Sequence, residues 1–165
     1  MLKTRTFWAR FFLVMALATA AVIFFFSSQP SKESNEVSDG ITVTVARIVR
    51  PDYITMPSER RQSFLELLNV VIRKCAHFSE FALLGLNLMG YLRMKYWERR
   101  ALPCALIAWG VATLYAGTDE LHQMFVSERS PAILDVGIDS AGALTGVLVM
   151  ALLLALLARR VAALE

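Results

Sequence analysis

The run from Leu148 to Leu157 contains no polar side chain. It lies inside a longer apolar stretch, Ile133 to Ala158. The hydrocarbon core of a bilayer is about 30 Å thick and takes about 20 apolar residues of helix to cross. Inside it every backbone amide and carbonyl must be satisfied within the protein, which a helix does alone. Three further stretches repeat the pattern: Phe7 to Phe26, Cys75 to Leu92, and Ala101 to Ala116. The hydrophobic fraction of the chain is 56%, above the ~45–50% of soluble domains, and the excess falls in these blocks. The expectation is an all-α integral membrane bundle of four transmembrane helices, forming one domain over 165 residues.

Lys3, Arg5 and Arg10 precede or open the first block. Ala18-Thr19-Ala20 resembles a signal-peptide cleavage site. The apolar run continues beyond it through VIFFF, which is long for a signal peptide and favours a retained anchor helix. Ser27 to Pro57 is polar, carries Pro30, Gly40, Pro51 and Pro57, and reads as an exposed loop within a longer extracytoplasmic connection, about 27–72. Its ITVTV segment, Ile41 to Val45, alternates as a strand would, but with no partner strand it reads as irregular or interfacial chain. From about Ser58 the pattern becomes helical, with Ser63 and Glu66 spaced as a capping box and Ser58 as an alternative cap. Phe64, Leu67, Leu68, Val71 and Cys75 fall on one helical face, an amphipathic segment leading into the second span.

The net charge is +3. The basic residues flank apolar blocks and no nucleic-acid motif is present, so they are read as setting orientation. Lys3, Arg5, Arg10, Arg93, Lys95, Arg99, Arg100, Arg159 and Arg160 fall on one side of a four-span chain, and the last connection holds only Arg129. The long first connection has the rest of the 17 basic residues, but it is also acidic and long loops count for less. Both termini are therefore expected in the cytoplasm, with the chain in the inner membrane. The start of span two, the end of span three and the start of span four then share the outer face.

The unusual residues lie at those three places. On a helix Arg73, His77 and Glu80 share one face, next to Lys74. Asp119, Glu120, His122 and Gln123 end span three, and Asp119, His122 and Gln123 share a face if that helix persists. Arg129 follows, and Asp135 and Asp139 open span four at i, i+4. Both histidines of the chain fall in this set. A carboxylate at a helix centre costs about 2.5–3.5 kcal/mol on insertion scales, so these groups must turn inward.

Such a set can hold a bundle together through interhelical ion pairs. It can also act. His77, Glu80, Asp119, Glu120 and His122 are candidates for proton transfer. Arg73, Lys74 and Arg129 offer an anion-binding rim, with Gln123, Asp135 and Asp139 completing the binding candidates. Histidines with carboxylates also suit a divalent metal, but no HExxH or dense ligand run occurs and no cofactor is assigned. Gly142 and Gly146 form a GxxxG that allows close helix approach, most often for plain packing. Trp8, Tyr91, Tyr96 and Trp97 lie near span ends and read as interfacial anchors. Cys75 and Cys104 fall at opposite ends of neighbouring helices and read as buried free thiols.

Four ordered strings, SSQPS after span one, RKCAHFSEFALLG, DELHQMFVSER and DVGIDSAGALTG, resemble the VanZ-like family of bacterial membrane proteins, from about Phe7 to Val149. In that resemblance Lys74, His77 and Glu80 match the family's polar positions in span two. Asp119, Glu120 and Gln123 match its acidic signature, with Arg129 following, and Asp135 and Gly142 match its last helix. Phe81 stands where Tyr is common and Asp139 where Asn is frequent. Ser127-Glu128 replaces a common Pro-Gly. The resemblance implies a place in the cell envelope and a link to glycopeptide resistance of the teicoplanin type. Implied partners are membrane lipids and a cell-wall precursor or glycopeptide, without nucleic acid.

Overall fold

The computed structural model describes residues 2–29, 31–126 and 133–163, with side chains described outside 31–39 and residue 2. The elements are α1 (Leu2–Ser27), α2 (Ser31–Val49), a 3-10 turn (Pro51–Thr55), α3 (Ser58–Lys95), α4 (Ala101–Gln123) and α5 (Ile133–Ala162). Among the described residues there is no strand. The architecture is an all-α membrane bundle. Helices α1, α4 and α5 are each long and apolar enough to cross a bilayer. The expected second span is the C-terminal half of α3. It carries His77, Glu80 and Asn87, yet it tolerates them because α1, α4 and α5 all pack on it.

The bundle is built with small residues inside and large apolar ones outside. Phe7, Val14, Leu17 and Phe25 of α1, Leu106 and Leu114 of α4, and Leu148, Leu152 and Leu156 of α5 are exposed. Helix α4 instead turns Cys104, Ala108, Ala112 and Ala116 inward at four-residue intervals. Helix association in lipid gains little from hiding leucine and depends on close packing, so this inversion is what a membrane bundle requires.

The α3–α5 contact is the closest. A Cβ built on Gly146 would lie 1.8 Å from the Ala82 carbonyl oxygen, one on Gly142 2.3 Å from that of Phe78, and one on Gly85 2.2 Å from that of Ala143. The GxxxG is thus a packing seam, and Gly85 answers it from the facing helix. Phe81, Leu84 and Met89 fill the space beside the seam, with Ala16 and Ile23 of α1 and Val147 of α5. Gly90 admits the Phe12 ring.

The segment expected as an exposed loop is helical over α2. Two of its prolines do not break helices: Pro51 opens the 3-10 turn and Pro57 stands at the N-cap of α3, positions where a missing amide proton costs nothing. Gly40 is tolerated within α2 at about 1 kcal/mol relative to alanine. Read as helix, ITVTV and the residues after it bury Thr42 and Ala46 and expose Ile41 and Ile48. Contact with α3 and the 3-10 turn, where Tyr53 is buried, supplies what the strand reading lacked. The Arg50 guanidinium grips Asp52 through two 3.0 Å hydrogen bonds, which holds that carboxyl below its usual range.

Helix α3 runs unbroken for 38 residues, about 57 Å at 1.5 Å per residue. The expected amphipathic segment and the expected second span are therefore one rod, longer than the hydrocarbon core is thick. The Ser63–Glu66 capping box does not form, because the helix starts five residues earlier behind Pro57. Neither Pro57 nor Ser58 supplies a side-chain cap, and Glu66 accepts from Gln62 instead, at 3.2 Å.

Candidate functional site at one end of the bundle

Helix α4 persists past Ala116, and the persistence carries its polar residues into the bundle. Asp119 continues the inward stripe of Ala108, Ala112 and Ala116 and is 4% exposed. Gln123, one turn on, donates from Nε2 to Asp119 Oδ2 at 3.0 Å. The other oxygen, Oδ1, is buried and accepts no hydrogen bond among the described residues. On α5 the i, i+4 pair divides. Asp139 faces inward, also 4% exposed. Asp135, one turn nearer the helix start, is partly exposed and forms an ion pair with Lys74 Nζ. Asp119, Asp135, Glu120 and Glu80 all act electrostatically on Asp139, so three helices bring their carboxylates to one place. The α3–α5 seam makes this possible, since Gly142 against Phe78 sets the backbones in contact one turn below Asp139.

On α3, His77 Nδ1 lies 3.9 Å from Glu80 Oε2, and Glu80 is within electrostatic range of Asp119. The predicted face of Arg73, His77 and Glu80 is thus joined to the cluster through Glu80. Arg73 is half-buried and forms no ion pair among the described residues, and Lys74, one residue on, reaches α5. Arg129, with Ser127 and Glu128, lies outside the described residues.

His122 departs from the sequence reading. It does not share the face of Asp119 and Gln123 but turns toward α1, stacking on Phe24 at 4.8 Å, with Nε2 3.2 Å from Ser28 Oγ. Cys75 also departs. It is exposed, whereas Cys104 is buried; both thiols are free.

The structure adds residues that sequence reasoning left unassigned. Ser27 is fully buried, with its hydroxyl unpartnered among the described residues. The Tyr115 hydroxyl donates to the Ala20 carbonyl at 2.8 Å and its ring lies 6.2 Å from that of Phe81. Toward the middle of the bundle, Trp109 Nε1 donates to Ser140, to the carbonyl oxygen at 3.2 Å and to Oγ at 3.1 Å, and Thr113 and Ser140 share a 2.9 Å hydrogen bond. This neutral network closes the polar region below the acids. Its signal was the placing of Trp109, Thr113 and Tyr115 inside an apolar block, which the anchor reading of aromatics passed over.

Among the described residues no three His, Cys, Asp or Glu side chains are grouped to hold a metal. What the arrangement offers is a set of buried acceptors, a histidine beside a carboxylate, and a lysine at the rim.

Residues 12–155 match the family model described as VanZ/LLP1. The chain belongs to the VanZ/LLP1 family. The match runs through all four of the strings that carried the resemblance. In this VanZ/LLP1 chain the described parts of those strings fold to one end of the bundle: Ser27 and Ser28 close α1, Lys74 to Glu80 lie on α3, Asp119 to Gln123 end α4, and Asp135 and Asp139 open α5. No curated protein and no solved structure matches the chain.

Proposed function

We propose that this chain binds a component of the bacterial cell envelope, a phosphate-bearing lipid or lipid-linked cell-wall precursor, at the polar end of its bundle. The observation that carries the reading is the Asp119 carboxylate: nearly fully buried, with one oxygen lacking a partner among the described residues. A buried acceptor left unmade costs about 1–3 kcal/mol. A hydroxyl or ammonium donor of a ligand headgroup supplies the missing partner, in surroundings rich in carboxylates. Lys74 and Arg73 at the rim suit the phosphate. The charge asymmetry of the connections supports the inner membrane, cytoplasmic termini and a site on the outer face, where envelope precursors are used.

The test is to make Asp119→Asn, Asp139→Asn, Glu80→Gln and Lys74→Gln and to measure membrane accumulation apart from teicoplanin susceptibility. Normal accumulation with a changed susceptibility is expected. If every variant accumulates normally and behaves as the parent, the binding reading fails. Loss of accumulation alone supports a scaffolding role. Reporter tags at 93 and 120 should lie on opposite sides of the membrane.

A second reading has its own observation, the His77–Glu80 pair. A histidine held beside a carboxylate can move a proton, and a lipid-linked substrate would then be hydrolysed or transferred. Sensitivity to a chelator would favour a metal-assisted form of this chemistry.

A further inference from the structure

The opposite end of the bundle carries a cavity that the proposed site does not use. It is an open cleft of about 650 Å³ between the start of α1 and the end of α3. Arg5, Arg10, Lys95 and Arg99 line it, with Tyr91 and Trp97 among its aromatic walls. Among the described residues the only carboxylate on its lining is Glu98, which is exposed. Among the described residues none of the four cations is held in an ion pair. Aromatic rings position three of them instead. Arg5 lies 4.1 Å over the Trp97 ring, Lys95 5.2 Å over Tyr91 with Nζ donating to its hydroxyl at 2.7 Å, and Arg99 5.6 Å over Tyr96. Ring faces hold a cation in place without neutralising it, so its charge stays available to an anion.

A second cavity of about 570 Å³ adjoins, sharing Arg5 and Trp97 as a common wall. Apart from Arg93, its other walls are apolar, among them Leu154, Leu157 and Val161 of α5. A cationic chamber beside an apolar one matches a molecule with a phosphate at one end and hydrocarbon at the other. We infer that this end of the bundle binds an anionic phospholipid of its own leaflet, with the phosphate among Arg5, Arg10, Lys95 and Arg99 and an acyl chain against α5. Juxtamembrane basic clusters attract anionic lipid by about 1 kcal/mol per charge. Here that attraction is gathered into one open cleft lined by four cations. The site is independent of the carboxylate end and of the function proposed for it.

The experiment uses the full-length protein in phosphatidylcholine nanodiscs containing phosphatidylglycerol, with lipid retention read by native mass spectrometry. Selective retention of phosphatidylglycerol over phosphatidylcholine is expected. Arg10→Gln with Arg99→Gln should weaken it by about tenfold or more, the loss of one charge-assisted contact being worth about that factor. Arg10→Lys with Arg99→Lys keeps charge and membrane orientation, so it should retain most of the binding, which separates a lost site from a misfolded or inverted chain. Arg159→Gln with Arg160→Gln removes two charges near the same end but outside the cavity, and should leave retention unchanged. Equal loss in the two glutamine pairs means unspecific attraction and overturns the assignment. So does absence of selectivity in the parent. Inorganic phosphate is the competing probe: if it binds while phosphatidylglycerol does not, the cavity serves a soluble phosphate and the lipid assignment is wrong.

Discussion

The two ends of this bundle handle charge in opposite ways. At one end Asp119 and Asp139 point inward from α4 and α5, and glycine and alanine are what let their helices approach. At the other, Arg5, Arg93, Lys95 and Arg99 stand at the rim over Trp97, Tyr91 and Tyr96, with little packing asked of them. Buried charge depends on the helix crossing beneath it, whereas rim charge depends on nearby rings and on lipid. The first should respond sharply to substitutions far from any charge, and the second only to substitutions of its own members.

The largest effect should come from Gly146→Leu. The new side chain would meet the Ala82 backbone and force α3 from α5, costing at least the upper end of the about 1–3 kcal/mol typical of overpacking. Unfolding in mild detergent reads the stability, and loss of the Lys74–Asp135 ion pair should accompany it. The matched control is Gly110→Ala on α4, where an added Cβ meets nothing within 4 Å. It should be neutral or stabilising by up to about 1 kcal/mol. Equal damage from the two would dissolve the distinction between the seam and the rest.

Asp139→Asn comes next, and its signs should split. Replacing one carboxyl beside Asp119, Asp135, Glu120 and Glu80 removes a source of like-charge repulsion, so stability should hold or rise while the envelope phenotype is lost. A variant that unfolds instead would make Asp139 a structural member. Lys74→Gln should be milder for stability, at about 0–1 kcal/mol, because both partners are about a third exposed. Arg5→Gln should cost about as little, losing a cation–π contact worth about 0.5–1 kcal/mol, and should leave the carboxylate end untouched.

The membrane bundle was legible because apolar blocks of sufficient length have few other uses. The polar end was legible because charge is costly between such blocks. Less visible was α2. Proline and glycine were read as loop punctuation, yet Pro51 and Pro57 stand where helices begin, and packing on α3 decided the rest. The direction of His122 was also hidden. Three and four residues from Asp119 are both plausible neighbours on a helix, and only the position of α1 shows that Gln123 turns to the aspartate while His122 turns to Phe24. Tyr115 was missed for a related reason: its partner is a backbone carbonyl, which no side-chain pattern announces.

Cross-linking tests the convergence most directly. With Cys75 and Cys104 replaced by alanine, a chain carrying Lys74→Cys and Asp135→Cys should be joined by a short bifunctional reagent in intact membranes, while Lys74→Cys paired with Arg159→Cys should not. Failure of the first pair, or equal joining of the second, would mean that the charged ends of α3 and α5 do not share one end of the bundle.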